Sequence, residues 1–181
     1  MSNEKDQKEG SSVHSGKREI EIYSSKLISR GLELVKAIEQ RQKEGVVYGD
    51  LSSEVIEALK QAIRINPDYA VAHFNLGLTY DELGRYNEAI EAYKQAIKIN
   101  PDDSSTHKSL GVVYYKLNRY REAVEAFKMA IQIMPSDADA HYGLGLVYLK
   151  VKDKSMAIKQ HKILKNLDVE KADELFKEIY E

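Results

Sequence analysis

The sequence has no cysteine, only three prolines and no long apolar run, and its charges are almost balanced. Without cysteine the chain cannot form disulfides, thiolate metal sites or a cysteine nucleophile. Its 27 basic and 29 acidic residues leave a net charge of −2, whereas nucleic-acid or anionic-membrane binders carry a basic excess. No run approaches the roughly 18 apolar residues of a membrane span. We therefore expect no nucleic-acid partner and no membrane insertion.

The N-terminal segment is polar. Met1 to Lys5 runs directly into charged residues and lacks the apolar core of a secretory signal, so we expect a cytoplasmic protein. Residues 1–18 hold little apolar material beyond Val13 and cannot offset their ordering entropy by burial, which predicts a disordered leader. Because hydrophobic residues make up 43% of the chain, the remainder has ample material for a core.

The three prolines mark an internal repeat. Pro67, Pro101 and Pro135 lie 34 residues apart. One glycine position and one alanine position keep the same spacing (Gly77, Gly111, Gly145; Ala89, Ala123, Ala157). A fixed period in this range indicates one supersecondary unit stacked on copies of itself. Residues 70–103 and 104–137 are full copies, identical at 17 of 34 positions, and residues 138–168 form a third.

Each copy is predicted to form two helices. A turn such as Gly84-Arg85-Tyr86 separates them, and proline ends the second helix because it lacks the amide hydrogen. The expected N-caps of the following helices are Asp102, Ser104 and Asp137.

The flanking segments are also predicted to be helical. Residues 19–67 predict a divergent helix pair, with helices at about 19–44 and 52–65 and with Asp50 or Ser52 as the second N-cap. Residues 169–181 predict an amphipathic capping helix that covers the exposed end of the stack. Its apolar side comprises Ala172, Leu175, Phe176 and Ile179.

The repeated motif resembles the tetratricopeptide repeat. The first copy carries HxxLGxxY from His73 to Tyr80, and then Ala89, Tyr93, Ala96 and Pro101. The second copy has all eight equivalents: His107, Leu110, Gly111, Tyr114, Ala123, Phe127, Ala130 and Pro135. The third departs at His161 and Leu164 and lacks the closing proline, as suits a final unit. The resemblance implies an all-α, right-handed superhelical array of three helix-turn-helix repeats at 68–168, followed by a C-terminal capping helix.

Candidate catalytic and metal-binding residues have structural interpretations. His73, His107 and His141 stand 34 residues apart on first helices that would lie roughly 8–10 Å apart, too far for convergence on one ion. The acidic pairs Asp81/Glu82 and Asp102/Asp103 fall at a helix end and at a cap. No phosphate loop, nucleophile elbow or zinc motif is present. We therefore predict a protein that is not an enzyme and that uses neither a metal nor a cofactor.

The resemblance also implies a binding groove, since the first helix of each tetratricopeptide unit lines a concave face. The residues that would line it are Phe74, Asn75, Leu78, Lys108, Val112, Tyr115, Tyr142, Leu146 and Leu149. This floor is apolar and aromatic, which is typical of an interaction surface, and Lys108, Lys116 and Lys150 would tune its charge preference. The carboxylate clamp of chaperone adaptors is disfavoured, because Ser105 and Ser109 stand where that clamp requires cations.

The predicted function is a non-catalytic adaptor that binds a peptide segment or a partner protein in this groove. Two alternatives stay open at this level: a self-associating structural scaffold, and a regulatory subunit of an enzyme. The groove could also be covered by the 19–44 helix, by the C-terminal helix or by another copy of the chain.

Overall fold

The computed structural model describes residues 49–181 and five residues nearer the N-terminus: Ile22, Tyr23, Ser25, Lys26 and Ser29. Its side chains are described for those five and from residue 53 onward. The expected leader at 1–18, and most of the expected 19–44 helix, lie outside the described residues.

All regular structure in residues 49–181 is helical. In chain order the helices are α1 (Gly49–Ile65), α2 (Ala70–Glu82), α3 (Tyr86–Ile99), α4 (Ser104–Lys116), α5 (Tyr120–Ile133), α6 (Ala138–Lys150), α7 (Lys154–Leu167) and α8 (Val169–Tyr180). No helix of this part of the chain is both long enough and apolar enough to cross a membrane.

The first compact unit of the molecule ends at Thr79, inside α2. In this unit α1 buries Val55, Leu59 and Ala62, which follow one another around one face of the helix. Ile65, at the C-terminal end of the same helix, is 36% exposed. Helix α1 begins at Gly49, so Asp50 and Ser52 lie inside it rather than at its N-cap.

The second compact unit, Tyr80–Glu181, is built from consecutive helices that pack on one another. Each of α3 to α7 packs on the next, and α8 packs on both α6 and α7. Small residues make this possible: Ala89 and Ala123 are fully buried, and a Cβ on Gly111 would lie 3.1 Å from the Phe127 ring. The fold class is the expected one, an all-α array of helix-turn-helix repeats.

Aspartates begin four of the helices. Asp103, Asp137, Asp153 and Asp168 each accept a backbone N–H three residues later, at 3.0–3.2 Å. Asp137 caps α6 as expected. The expectation for α4 was wrong, because the carboxylate of Asp103, rather than Asp102 or Ser104, reaches the amide of Thr106.

The C-terminal helix α8 covers the end of the array. It buries Ala172, Leu175 and Ile179, and Leu175 occupies the room that Gly145 leaves, since a Cβ there would lie 2.5 Å from Leu175 Cδ2. Phe176, expected on the buried side, is 47% exposed. It follows Leu175 by about 100° around the helix, which turns it away from α6.

Candidate functional site

The repeated histidines have the same structural contact in each unit. The ring Nε2 atoms of His73, His107 and His141 lie 2.9, 2.9 and 3.0 Å from the carbonyl oxygens of Pro67, Pro101 and Pro135. Because a carbonyl only accepts, Nε2 donates, and each ring ties the first helix of a unit to the preceding proline loop. Among the described residues, no group of three His, Asp or Glu side chains is placed to hold a metal ion.

Helices α4 and α6 enclose a concave space of about 400 Å³, here called the α4–α6 groove. Its lining consists of Lys108, Val112, Tyr115, Lys116, Phe127, Asp139, Tyr142, Gly143 and Leu146. Five of these residues were expected from the sequence to line a groove: Lys108, Val112, Tyr115, Tyr142 and Leu146. Val112 is 36% exposed, whereas Tyr115, Tyr142 and Leu146 are half-buried.

The depth of the groove comes from one glycine and one phenylalanine. A Cβ on Gly143 would lie 2.5 Å from Phe127 Cζ, so the ring of α5 fills the space that a side chain on α6 would take. Phe127, which the sequence identified only as a position of the repeated motif, therefore forms the floor of the groove. The signal in the sequence is Gly143 itself, because the equivalent position one unit earlier is Ser109.

The remaining expected groove residues are placed differently. Phe74, Asn75 and Leu78 belong to the first unit, where Phe74 and Leu78 are half-buried. Asn75, expected to be exposed, is buried, because its amide donates to the Val71 carbonyl at 2.8 Å within α2. Leu149 is half-buried on α6 and is not among the residues that line the α4–α6 groove.

One end of the groove carries a network of charges. Lys108 Nζ lies 3.0 Å from Asp137 and 3.2 Å from Asp139, and Lys171 of α8 lies 3.2 Å from Asp139 and 3.0 Å from Asp168. Burial alone would lower the pKa of Lys108, but its hydrogen bonds to the two aspartates raise it above the usual value. Burial alone would likewise raise the pKa of Asp139, but the two lysines hold it below the usual value.

The second groove lysine is also paired. Lys116 Nζ lies 2.6 Å from Asp81 Oδ1 and 5.5 Å from the centre of the Tyr86 ring. Lys108 and Lys116 were expected to set the charge preference of the groove. Their charges are instead balanced by aspartates of neighbouring elements.

Two glutamates of α8 lie beside the groove. Burial raises the pKa of Tyr142 above its usual value, and the carboxylates of Glu174 and Glu178 add to the shift. Neither glutamate was singled out from the sequence, because α8 was expected to cover the end of the stack rather than to flank a groove.

Family models match the repeated part of the chain. Models described as tetratricopeptide repeat match residues 70–103 and 92–125, and one described as TPR repeat matches residues 53–84 and 113–152. The matches together span residues 53–152. No curated protein is significantly similar to the chain in sequence.

Solved structures share the fold. The crystal structure of MamA has a TM-score of 0.68 and 22% identity, over 96% of this chain and 98% of MamA. The structure of PilF from Pseudomonas aeruginosa has a TM-score of 0.68 and 24% identity, over 88% of this chain and 70% of PilF. The MamA RS-1 ArsTM double mutant has a TM-score of 0.63 and 19% identity, over 82% of this chain and 92% of that one.

Proposed function

Because the chain belongs to the tetratricopeptide-repeat family, whose repeats serve as protein-interaction modules, we propose that its α4–α6 groove binds a segment of a partner protein. The observation that supports this proposal is the groove itself, an open space of about 400 Å³ walled by Val112, Tyr115, Tyr142 and Leu146. Apolar side chains around such a hollow stay in contact with water unless a partner covers them. The binding mode would be an extended or helical segment anchored by two or three apolar side chains.

The proposed role is that of a non-catalytic adaptor. The candidate acids and bases of the second unit are held in structural contacts, which supports this view. His107 and His141 bond to proline carbonyls, Asp81 pairs with Lys116, and Asp103 accepts the Thr106 amide at the start of α4. Leu149 and, in the first unit, Phe74, Asn75 and Leu78 stay predictions of the sequence pattern.

The test is affinity capture with a groove variant. We expect Tyr115→Ala/Tyr142→Ala to lose proteins that the wild-type chain retains from a lysate of its host, because both side chains wall the groove. The matched control is Met129→Ala/Met134→Ala, which removes two large apolar side chains that are 41% and 48% exposed and do not line the groove. Far-ultraviolet circular dichroism checks that both variants stay helical. If the groove variant retains the same proteins as the control, the groove assignment is wrong.

A second candidate function is self-association through the C-terminal end of the array. Phe176 and Tyr180 are 47% and 57% exposed, their ring centres lie 4.6 Å apart, and the His161 ring centre lies 5.5 Å from that of Phe176. Sedimentation across protein concentration tests this, because a scaffold associates as concentration rises and an adaptor without its partner stays monomeric. A scaffold should become monomeric when Phe176→Ser/Tyr180→Ser is introduced.

A further inference from the structure

The lysines that line the α4–α6 groove are not available to attract an acidic partner. Lys116 is neutralised by Asp81 at 2.6 Å, and Lys108 is shared between Asp137 and Asp139 at 3.0 and 3.2 Å. An acidic segment entering the groove would have to compete with carboxylates already in contact with each lysine. The positive charges that the sequence places on this face therefore hold the helices together.

Helix α8 adds negative charge to the same face. Lys171, Glu174 and Glu178 follow at intervals of three and four residues, so they share one side of the helix. Lys171 is bonded to Asp139 of α6, and Glu174 and Glu178 act on Tyr142 one turn further along α6. Among residues 53–181, neither glutamate forms an ion pair with a lysine or arginine, and both are exposed.

The charges at this end of the groove leave a negative excess. Two lysines, Lys108 and Lys171, meet three aspartates: Asp137, Asp139 and Asp168. Glu174 and Glu178 lie on the same side of α8 as Lys171, which contacts Asp139 of α6, so they add two further negative charges on the side of α8 that faces α6. A bound segment would place its apolar side chains on the wall and its flanking side chains near these carboxylates.

We infer that the α4–α6 groove is specific for a basic amphipathic segment, whose apolar side chains pack on Tyr115, Tyr142 and Leu146 and whose lysine or arginine faces Glu174 and Glu178. This inference rests on the proposed function of the groove. Charge complementarity at an exposed rim mainly sets partner choice and association rate, and an acidic segment would meet like charge there. The preference is screened by salt, because both glutamates face solvent.

The inference is tested with three labelled helical peptides. They share the same leucines and differ only in carrying lysine, glutamine or glutamate at the intervening positions. We expect the full chain to bind the lysine peptide about tenfold or more tightly than the glutamate peptide at low salt, as measured by fluorescence polarisation. The difference should shrink at roughly 0.5 M salt.

Charge-reversal variants distinguish the effect of Glu174 and Glu178 on peptide preference from the effect of the net charge of the protein. Glu174→Lys/Glu178→Lys should abolish or invert the preference for the lysine peptide. The matched control, Glu91→Lys/Glu125→Lys, changes the net charge by the same amount at exposed positions of α3 and α5 and should keep the preference. Thermal melts check that both variants are folded.

The outcomes distinguish this inference from the proposed function. If the lysine and glutamate peptides bind equally, and Tyr115→Ala/Tyr142→Ala weakens both, the groove binds peptides and the basic preference is wrong. If no peptide binds, both proposals are wrong. If the chain binds itself and Glu174→Lys/Glu178→Lys abolishes that association, the occupant is a second copy and the separate basic partner is overturned.

Discussion

Gly84, Asn118 and Lys152 stand 34 residues apart at the turn between the two helices of each unit, and all three have positive φ angles of 69°, 58° and 63°. Each turn is closed by a backbone hydrogen bond of 2.9–3.0 Å to a residue three positions earlier. Glycine adopts this left-handed conformation without strain and asparagine tolerates it, whereas lysine pays a steric cost for it.

The strain at Lys152 predicts a stabilising substitution. Lys152→Gly should raise the free energy of unfolding by about 0.5–1 kcal/mol, since relief of the strain exceeds the extra entropy of glycine in the unfolded chain. The reverse change, Gly84→Ala, should lower it by about 1 kcal/mol, although nothing lies within 4 Å of the added Cβ. Urea unfolding measures both changes. A loss of stability in Lys152→Gly would contradict the assigned turn conformation.

A second residue-scale prediction concerns the floor of the groove. Gly143→Ala should lower the free energy of unfolding by about 1–3 kcal/mol, because the new methyl group would lie 2.5 Å from the ring of Phe127, which is 1% exposed and cannot move freely. Gly84→Ala is a useful comparison, because it is strained by its backbone and not by contact. If Gly143→Ala costs as much stability in a Phe127→Leu background as in the wild type, the packing explanation is wrong.

At the scale of the helices, ion pairs join elements that are distant in sequence. Lys108 of α4 binds Asp139 near the start of α6, and Asp139 binds Lys171 of α8. The network therefore fixes three helices that border the groove at one end. Its members are partly exposed, so the contribution to stability is modest and sensitive to salt.

This network predicts a pH dependence at low pH. The pKa of Asp139 is lowered from 3.8 in the folded protein, although burial opposes the shift, because Lys108 and Lys171 bind the carboxylate. The ionised carboxylate therefore stabilises the fold above pH 3.8, and this stabilisation is lost as the pH falls through the lower folded pKa. We expect the melting temperature of Asp139→Asn to fall less between about pH 5 and pH 2.5 than that of the wild type.

At neutral pH, Asp139→Asn should cost less than about 1 kcal/mol, because its side chain is 59% exposed. The other carboxylates of the network titrate in both proteins, so the difference between the two melting curves isolates Asp139. Parallel curves across the acid range would show that Asp139 does not stabilise the fold.

At the scale of the whole chain, α8 resembles the first helix of a further repeat unit. Its N-cap Asp168 follows Asp137 by 31 residues instead of 34, which places Leu175 at the position of a repeat leucine. In the same register Phe176 stands where Gly145 allows close packing in the unit before. A large ring at that position differs from the glycine that lets Leu175 approach α6 in the unit before.

The dependence of the array on this last helix can be measured. Removing residues 169–181 withdraws Leu175 and Ile179 from the core, so we expect the free energy of unfolding to fall by about 3–6 kcal/mol. Chemical unfolding gives the free energy, and light scattering should detect association through the uncovered face. Phe176→Ala, which removes an exposed ring from the same helix, should change stability by less than about 1 kcal/mol. Unaltered stability after truncation would mean that α8 is not part of the cooperative unit.

The 34-residue period predicted the helices and turns of the repeats, whereas the expected groove came from the resemblance to the tetratricopeptide repeat. Tyr115, Tyr142 and Leu146 could be placed because each depends on its position within one unit, and the units repeat. Two expectations about exposure failed because they depend on rotation about a helix axis: Asn75 is buried, and Phe176 is 47% exposed. Local periodicity does not define that rotation to within one residue.

The charge of the groove was decided only by the packing of distant segments. Lys116 meets Asp81 across 35 residues, and Glu174 and Glu178 reach Tyr142 because α8 folds against α6. The repeated sequence pattern predicts the contacts between the two helices of one unit. Electrostatic interactions depend on distances through space, so the sign of the net charge beside the groove is set only when α8 packs on α6.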